Sequence, residues 1–328
     1  MKHLPVILIC LLSFNLANSS VPVIKPMYAL VIHGGAGVMD KDKMSAERQQ
    51  EYLKHLDRAL ATGDSILRTG GTATDAVVSV VSYLENCPLF NAGKGAVFTH
   101  KGRNELDVSI MDGATLKAGA LAGVTRIKNP IKAARLVMER SAHVMISGKG
   151  TTQFAREQQL ELVRNRYFKT RERYQSFKQL RKELRKSTVA DKHGTVGCVA
   201  LDQHGNLVAG TSTGGMTNKK YGRIGDTPVI GAGTWADNRT CAVSCTGHGE
   251  YFIRQTIARD VAAHMEYLGM NLNQAGARVI EKLTGTGGTG GFIALDAKGN
   301  ITMPFNTSGM FRGYLKSTGE KEIAIFGD

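Results

Sequence analysis

His193-Gly194-Thr195-Val196-Gly197 stands where the chain changes character. Upstream, from about Arg164 to Lys192, lies a run rich in Arg, Lys and Gln and poor in large aliphatics. Such a run reads as a mobile linker, or in part as a solvated helix. Downstream the texture is of short apolar runs and turns. A threonine hydroxyl is a weak nucleophile until a base takes its proton. An N-terminal threonine carries its own base, because a free α-amine titrates at about 7.7–8.0. Thr195 becomes N-terminal if its hydroxyl attacks the Gly194 carbonyl and water opens the ester that forms. Gly194 tolerates the strained backbone this needs, and a linker upstream lets the new ends part. Taken alone, the Gly-Thr pair also fits a threonine that simply opens a strand.

Working outward, Tyr28 to Ile32 is a short apolar run that predicts a buried strand, ending in His33-Gly34-Gly35-Ala36-Gly37. Leu53, Leu56, Leu60 and Leu67 follow at helical spacing. A second helix begins near Thr74-Asp75 and turns Ala76, Val80 and Leu84 inward. Asn129-Pro130 is a helix start, a capping side chain followed by proline, and predicts a helix to about Met145. Beyond the linker, Cys198 to Leu207 is echoed by Phe292 to Ile301, each an apolar run, an Asp-x-x-Gly-Asn turn and a second strand. The echo extends from Thr213-Gly-Gly-Met216 to Thr307-Ser-Gly-Met310. Two equivalent hairpins suggest stacked antiparallel sheets, with helices before and between them as outer layers.

The 328 residues could hold one large domain or two ordinary ones. The formal net charge of +14 raises nucleic acid or membrane partners, but half of it sits between Arg156 and Lys192, where 12 Lys/Arg meet 5 Asp/Glu. No nucleic-acid-binding module surrounds that run. At the N-terminus, Lys2, the apolar run Leu4 to Leu12 and the small residues Ala17-Asn18-Ser19 predict a signal peptide over residues 1–19, and hence export, periplasmic or secreted, with no membrane association after its removal. Of the cysteines, Cys10 leaves with the signal. Cys241 and Cys245, four apart in a strand-like stretch, would lie roughly 13 Å apart, too far for a disulfide. Together with Cys87 and Cys198 they read as buried free thiols.

Motifs with more specific content recur in order: His33-Gly-Gly-Ala-Gly37, Leu89-Phe-Asn-Ala-Gly93, Glu105-Leu-Asp-Val-Ser-Ile-Met-Asp-Gly113, His193-Gly-Thr-Val-Gly197, Thr211-Ser-Thr-Gly-Gly215, Gly222-Arg-Ile-Gly-Asp226 and Thr246-Gly-His-Gly-Glu250. Over about residues 28–160 and 193–315 the chain resembles the plant-type (type III) L-asparaginase and isoaspartyl peptidase family, within the Ntn-hydrolase superfamily. The resemblance implies an α+β fold, the αββα four-layer sandwich of the Ntn type. It implies self-cleavage into an α chain, residues 20–194, and a β chain, residues 195–328, assembled as an (αβ)2 heterotetramer. The implied substrates are small molecules, L-asparagine and β-aspartyl dipeptides, opened through an aspartyl-threonine ester to release L-aspartate, with no cofactor for catalysis.

Residue by residue, the resemblance makes Thr195 the nucleophile and Thr213 a hydroxyl beside it that tunes it. Thr246 and Gly247 become the oxyanion hole. Arg223 takes the substrate α-carboxylate as a bidentate pair and Asp226 holds the α-ammonium. Ile224, Gly225, Gly247 and Gly249 complete the substrate-binding stretch, with His248 at its edge, and Asn91 lies near the scissile centre. The carbonyls of Leu84, Glu85, Cys87, Phe90, Ala92 and Lys94 match a loop that wraps a structural sodium ion in relatives. His33 reads as structural, with its glycines letting a loop move over the cut site. Without the motifs, Thr213 and Thr246 are ordinary strand residues, and Arg223 and Asp226, three apart, a surface ion pair. The rival reading within the superfamily is a glycosylasparaginase, which usually has Asp where Gly194 stands and Asn where Gly214 stands. A non-catalytic exported binding protein on the same fold is opposed by the intact set Thr195, Arg223, Asp226 and Thr246.

Overall fold

A computed structural model describes residues 27–37, 39, 41–183 and 194–327. The expected signal peptide, the last nine residues of the basic run and His193 lie outside them.

The strands are β1 (Ala29–Gly37), β2 (Leu106–Asp112), β3 (Ala118–Val124), β4 (Met145–Ser147), β5 (Val196–Leu201), β6 (Leu207–Thr213), β7 (Thr234–Ala236), β8 (Cys241–Gly247), β9 (Gly290–Asp296), β10 (Ile301–Thr302), β11 (Gly309–Lys316) and β12 (Lys321–Phe326). An eight-stranded sheet runs β12-β11-β1-β5-β6-β2-β3-β4, and a four-stranded sheet runs β10-β9-β8-β7. The helices are α1 (Ala46–Arg68), α2 (Ala73–Asn86), α3 (Pro130–Arg140), α4 (Lys149–Glu157), α5 (Arg171–Glu183), α6 (Gly249–Gln255), α7 (Ile257–Leu268) and α8 (Leu272–Gly285).

The layers follow from which face of each strand is apolar. Leu30 and Ile32 of β1 pack with Leu56, Leu60 and Leu67 of α1, Val77, Val80 and Leu84 of α2 and Ile131 of α3. Their neighbours Ala29 and Val31 face the other way, into a cluster with Val199, Leu201, Leu207, Ala209, Ala242, Ile293 and Leu295 from both sheets. Cys241, Val243 and Phe292 look outward onto Ile257, Val261, Leu272 and Val279 of α7 and α8. Three cores separate four layers, helix, sheet, sheet and helix, which is the αββα sandwich. The four described cysteines are buried free thiols, as their spacing predicts.

The helices begin where the side chains allow. Thr72 caps α2 by accepting from Asp75 N, and Asp75 reaches across to Arg135 of α3 at 2.7 Å. The predicted turns are the ones that form. Asp202 and Asp296 each accept from backbone N–H groups two and four residues on, with Gly205 and Gly299 at positive φ. The echo then diverges, because β10 is only two residues long and the chain crosses to the edge of the larger sheet as β11.

Three expectations need correction. The helix from Pro130 ends at Arg140, and Met145 opens the parallel strand β4 instead. Asn129 does not cap it. Its amide donates to Ser82 O and Glu85 Oε2, and Glu85 Oε1 accepts from Ile131 N at 3.1 Å, so a buried carboxyl from α2 serves that helix end. The glycines after His33 form no moving loop: β1 continues through them to Gly37, with an irregularity between His33 and Gly35. A Cβ on Gly35 would lie 3.1 Å from Gly194 Cα and from Thr195 N, so these glycines allow close approach.

Nor is the described part of the basic run a mobile linker. A 3-10 turn at Asn165–Phe168 and helix α5 occupy it. Phe168 and Phe177 are buried, Phe177 stacks on Phe98 at 5.5 Å between centroids, and Tyr174 meets Phe98 edge-on at 5.6 Å. Arg173 donates to Gly95 O at 2.9 Å and Leu89 O at 3.0 Å. The aromatic stripe outweighs the charge around it. Replacing a buried Phe with Ala typically removes about 3–5 kcal/mol. Phe168→Ala should lower the unfolding free energy by about that amount, read from denaturant melts, and deletion of 166–182 should destabilise the protein rather than leave it intact.

Candidate active site

Because strand side chains alternate between faces, the inter-sheet layer is apolar at one end and polar at the other. At the polar end, β1 supplies His33, β2 supplies Asp107 and Ser109, β6 supplies Thr211 and Thr213, and β8 supplies Ser244 and Thr246, all of them buried. Val196 pairs with Ser212, which leaves Thr195 and Thr213 side by side just past the end of the ladder.

Thr195 Oγ1 donates to Thr213 Oγ1 at 3.2 Å, Thr213 Oγ1 donates to Gly194 O at 3.0 Å, and Gly215 N donates to Thr213 Oγ1 at 2.9 Å. Asn91 Nδ2 also donates to Gly194 O, at 2.7 Å, and to Gly215 O at 2.8 Å, while its Oδ1 accepts from Val97 N. The carbonyl preceding Thr195 therefore carries two side-chain donors, which polarise it. His33 is completely buried, with Nδ1 3.2 Å from Thr195 O and Nε2 2.9 Å from Ser244 Oγ. Burial depresses its pKa to about 3, so the ring is neutral at ordinary pH.

Gly194, Thr195, Thr213, Gly215, Arg223, Gly225, Asp226, Thr227 and Gly247 line one narrow cavity with room for little more than a water molecule. The structure thus gathers the expected cut-site residues with Arg223, Gly225, Asp226 and Gly247 of the expected substrate contacts. Thr246 is buried beside Gly247, its Oγ1 accepting from Ala36 N at 3.1 Å. Gly249 packs against both charged groups, since a Cβ there would lie 2.7 Å from Asp226 Oδ1 and 2.9 Å from Arg223 Nη2. Ile224 is 41% exposed and does not line the cavity, and His248 sits at the rim, its Nε2 3.3 Å from Glu250 Oε2.

Arg223 and Asp226 are not a surface ion pair. Asp226 is buried, its Oδ2 has no hydrogen-bond partner, and burial raises its carboxyl to about 7. Arg223 instead meets Glu250 through two parallel bonds of 2.8 Å, from Nε and Nη2. Those bonds pull the Glu250 carboxyl down to about 2. Glu250 closes one of the motifs read above, yet no role was read for it. A second pairing was also missed: buried Lys219 donates to Glu105 O at 3.0 Å and lies 3.5 Å from Asp107, which ties the loop after Gly215 to β2.

The expected ion loop lies apart, from the last turn of α2 onward. Leu84 O accepts from Cys87 N and Ala92 O from Gly95 N. Gly93 takes a φ of +46, and a Cβ on Gly95 would run into the carbonyls of Phe90 and Pro88. The Glu85 side chain turns away, to Ser212, Asn129 and Ile131, and burial raises its carboxyl to about 8.

Two facing sheets between helical layers, with a threonine hydroxyl at the inner end of a strand, define the N-terminal-nucleophile hydrolase fold. A family model described as asparaginase matches residues 26–325. An isoaspartyl peptidase of Escherichia coli (strain K12) is 50% identical over 296 residues, 87% of this chain and 92% of that protein. An isoaspartyl peptidase/L-asparaginase of Xenopus laevis is 41% identical over 285 residues, 86% and 90% of the two chains. A plant-type L-asparaginase of Pyrococcus horikoshii is 40% identical over 314 residues, 91% and 99% of the two. The chain belongs to the asparaginase family of Ntn hydrolases and is an amidohydrolase.

Proposed function

We propose that the chain cuts itself between Gly194 and Thr195 and that the freed Thr195 hydrolyses L-asparagine and β-aspartyl dipeptides. The observation that carries this reading is the doubly donated Gly194 carbonyl beside the Thr195 hydroxyl. In the uncut chain Asn91 and Thr213 act as the oxyanion donors, Thr195 Oγ1 adds to the Gly194 carbonyl carbon, and the C–N bond breaks to give an ester and a free α-amine. Water then opens the ester. The near-filled cavity fits this order, because departure of the segment ending at Gly194 makes room for substrate.

In the mature site the α-amine of Thr195 takes the proton from its own Oγ1. Arg223, held by Glu250, offers its remaining Nη1 side to the substrate α-carboxylate. Asp226 takes the α-ammonium, which supplies the partner its Oδ2 lacks. Thr195 attacks the side-chain carbonyl, and Thr246 Oγ1 and Gly247 N–H receive the oxyanion. The aspartyl ester forms as ammonia or the amino-acid leaving group departs, and water releases L-aspartate. No cofactor takes part. In the loop from Leu84 to Lys94 the carbonyls of Phe90 and Pro88 come close to bare Gly95, and oxygen-only ligation by such carbonyls would suit a hard monovalent cation such as sodium in a structural role. We further propose an (αβ)2 assembly, and export directed by residues 1–19.

Purified protein should resolve into two chains, the smaller beginning Thr-Val-Gly-Cys by N-terminal sequencing. Thr195→Val keeps the shape without the hydroxyl and should stay one inactive chain, whereas Thr195→Ser should still cut itself and keep weak activity. A Thr195→Val protein that hydrolyses asparagine would place the nucleophile elsewhere.

Arg223→Ala should leave self-cleavage largely intact and cost turnover of free asparagine about 2–5 kcal/mol in transition-state stabilisation, the usual loss for half of a desolvated ion pair. Wild-type kcat/KM with this variant would refute the carboxylate assignment.

The pH dependence of binding tests Asp226. Its raised carboxyl is protonated below about 7 and cannot hold an ammonium. L-Aspartate affinity, measured calorimetrically, should therefore weaken by about tenfold for each pH unit below that value, and level off above it. Affinity constant across the range would exclude Asp226 from the ammonium site.

A further inference from the structure

Beneath the cut site a line of side-chain hydroxyls crosses the inter-sheet layer. His33 Nε2 is 2.9 Å from Ser244 Oγ, which is 2.7 Å from Thr211 Oγ1. Thr211 Oγ1 is 2.6 Å from Thr234 Oγ1, and Ser109 Oγ is 2.7 Å from Thr234 Oγ1 and 2.6 Å from Thr227 O. His33, Ser244, Thr211, Thr234 and Ser109 are all fully buried, and none of the hydroxyls lines the cavity. One end of the line is the Thr195 carbonyl, reached through His33 Nδ1, and the other is the carbonyl next to Asp226. A Cβ on Gly197 would collide with both Ser244 Oγ and His33 Nε2, so the last glycine of the cut-site pentapeptide is bare for the sake of this contact.

We propose that Ser109, Thr234, Thr211 and Ser244 are positioning residues for the reaction at Thr195: they form a hydrogen-bond line, running toward His33, that holds the ring as its Nδ1–H tautomer clamped on the Thr195 carbonyl. This rests on Thr195 as the nucleophile.

The direction comes from counting protons. Both ends of the line are carbonyl oxygens, which only accept. The line has six contacts, and Thr211 Oγ1 also lies 3.3 Å from Gly233 O, but a neutral ring and four hydroxyls bring five protons. Two contacts must go without: the long one to Gly233 O, because the 2.7 Å approach of Thr211 to Ser244 needs that proton, and one more. Ser109 faces two acceptors, and its hydroxyl can swing between them. His33 cannot redistribute its proton without setting a ring lone pair against the Thr195 carbonyl. The second deficit therefore sits at Ser109. Thr234 donates to Thr211, Thr211 to Ser244, Ser244 to Nε2, and Nδ1–H to Thr195 O.

The clamp matters once the chain is cut. A new chain end frays unless something ties it down, and Thr195 loses its covalent anchor at the moment it becomes catalytic. His33 then holds its carbonyl, keeping amine and hydroxyl aimed into the cavity. The line makes the clamp rigid, because Thr234, Thr211 and Ser244 each spend their single proton along it.

The test has two independent arms on the mature two-chain protein. Long-range proton–nitrogen spectra of histidine-labelled protein should show the His33 ring neutral, protonated at Nδ1 and accepting at Nε2 at neutral pH; an Nε2–H tautomer or an imidazolium overturns the proposal. Kinetically, Thr211→Val and Ser244→Ala should lower kcat by about tenfold or more, the equivalent of one buried hydrogen bond, with KM within about twofold. Thr211→Ser, which restores the hydroxyl, should recover kcat. Unchanged kcat in the folded, cut variants overturns the proposal, as does failure of serine to rescue. The nucleophile assignment fails separately, through an active Thr195→Val, whatever the ring state.

Discussion

Successive residues of a strand leave the sheet on opposite faces, and when two sheets stack, every second residue must live between them. Most of this protein's chemistry is an answer to that constraint. Apolar side chains fill one end of the gap, from Val31, Val199, Leu201 and Leu207 of the larger sheet to Ile293 and Leu295 of the smaller. At the other end the same alternation turns inward His33, Asp107, Thr211, Thr213, Ser244 and Thr246. Buried polar groups are costly unless they are paired, and here the small hydroxyls pair with one another and with backbone carbonyls. A reactive hydroxyl can be held there in one place because its neighbours have few alternative partners.

The two carboxyl groups around Arg223 shift in opposite directions, Glu250 down through its bonds to Arg223 and Asp226 up through burial. Glu250 accepts both of its bonds and stays ionised far into acid. Asp226 lies deeper, keeps one oxygen without a donor, and is pushed toward neutrality. The first is a finished interaction and fixes the guanidinium. The second is unfinished, and a carboxyl raised toward neutral pH by its surroundings is a mark of a group waiting for a partner. The difference lies in which of them has the guanidinium as a hydrogen-bond partner and which is governed by its burial.

Much of this was legible in the sequence. The apolar runs at Tyr28 and Cys198, the repeated Asp-x-x-Gly-Asn turns and the leucines of α1 state their structures outright, since periodicity and turn chemistry are local. The site residues were legible through ordered motifs, and the cavity gathers Thr195, Thr213, Arg223, Asp226 and Gly247. What failed to show was non-local. Nothing near Asn129 reveals that Glu85, from another helix, serves the start of α3. The basic run hid Phe168, and it hid Tyr174 and Phe177, whose partner Phe98 lies far away in the chain. Glu250 stood in plain view inside a motif, but its bond to Arg223 crosses from a loop to a helix start.

The strand order of the larger sheet has a consequence for how the protein can come apart. Segments from before and after Gly194 alternate across it, with β1 between β11 and β5, and β2 next to β6. Opening the peptide bond at that point leaves two polypeptides braided through one hydrogen-bonded ribbon, and neither can diffuse away without dissolving the ribbon itself. Once that happens, return is no longer a first-order event of one molecule. Two strangers must meet, so recovery becomes second order in concentration, and the proposed cut would act as a ratchet on the protein's history.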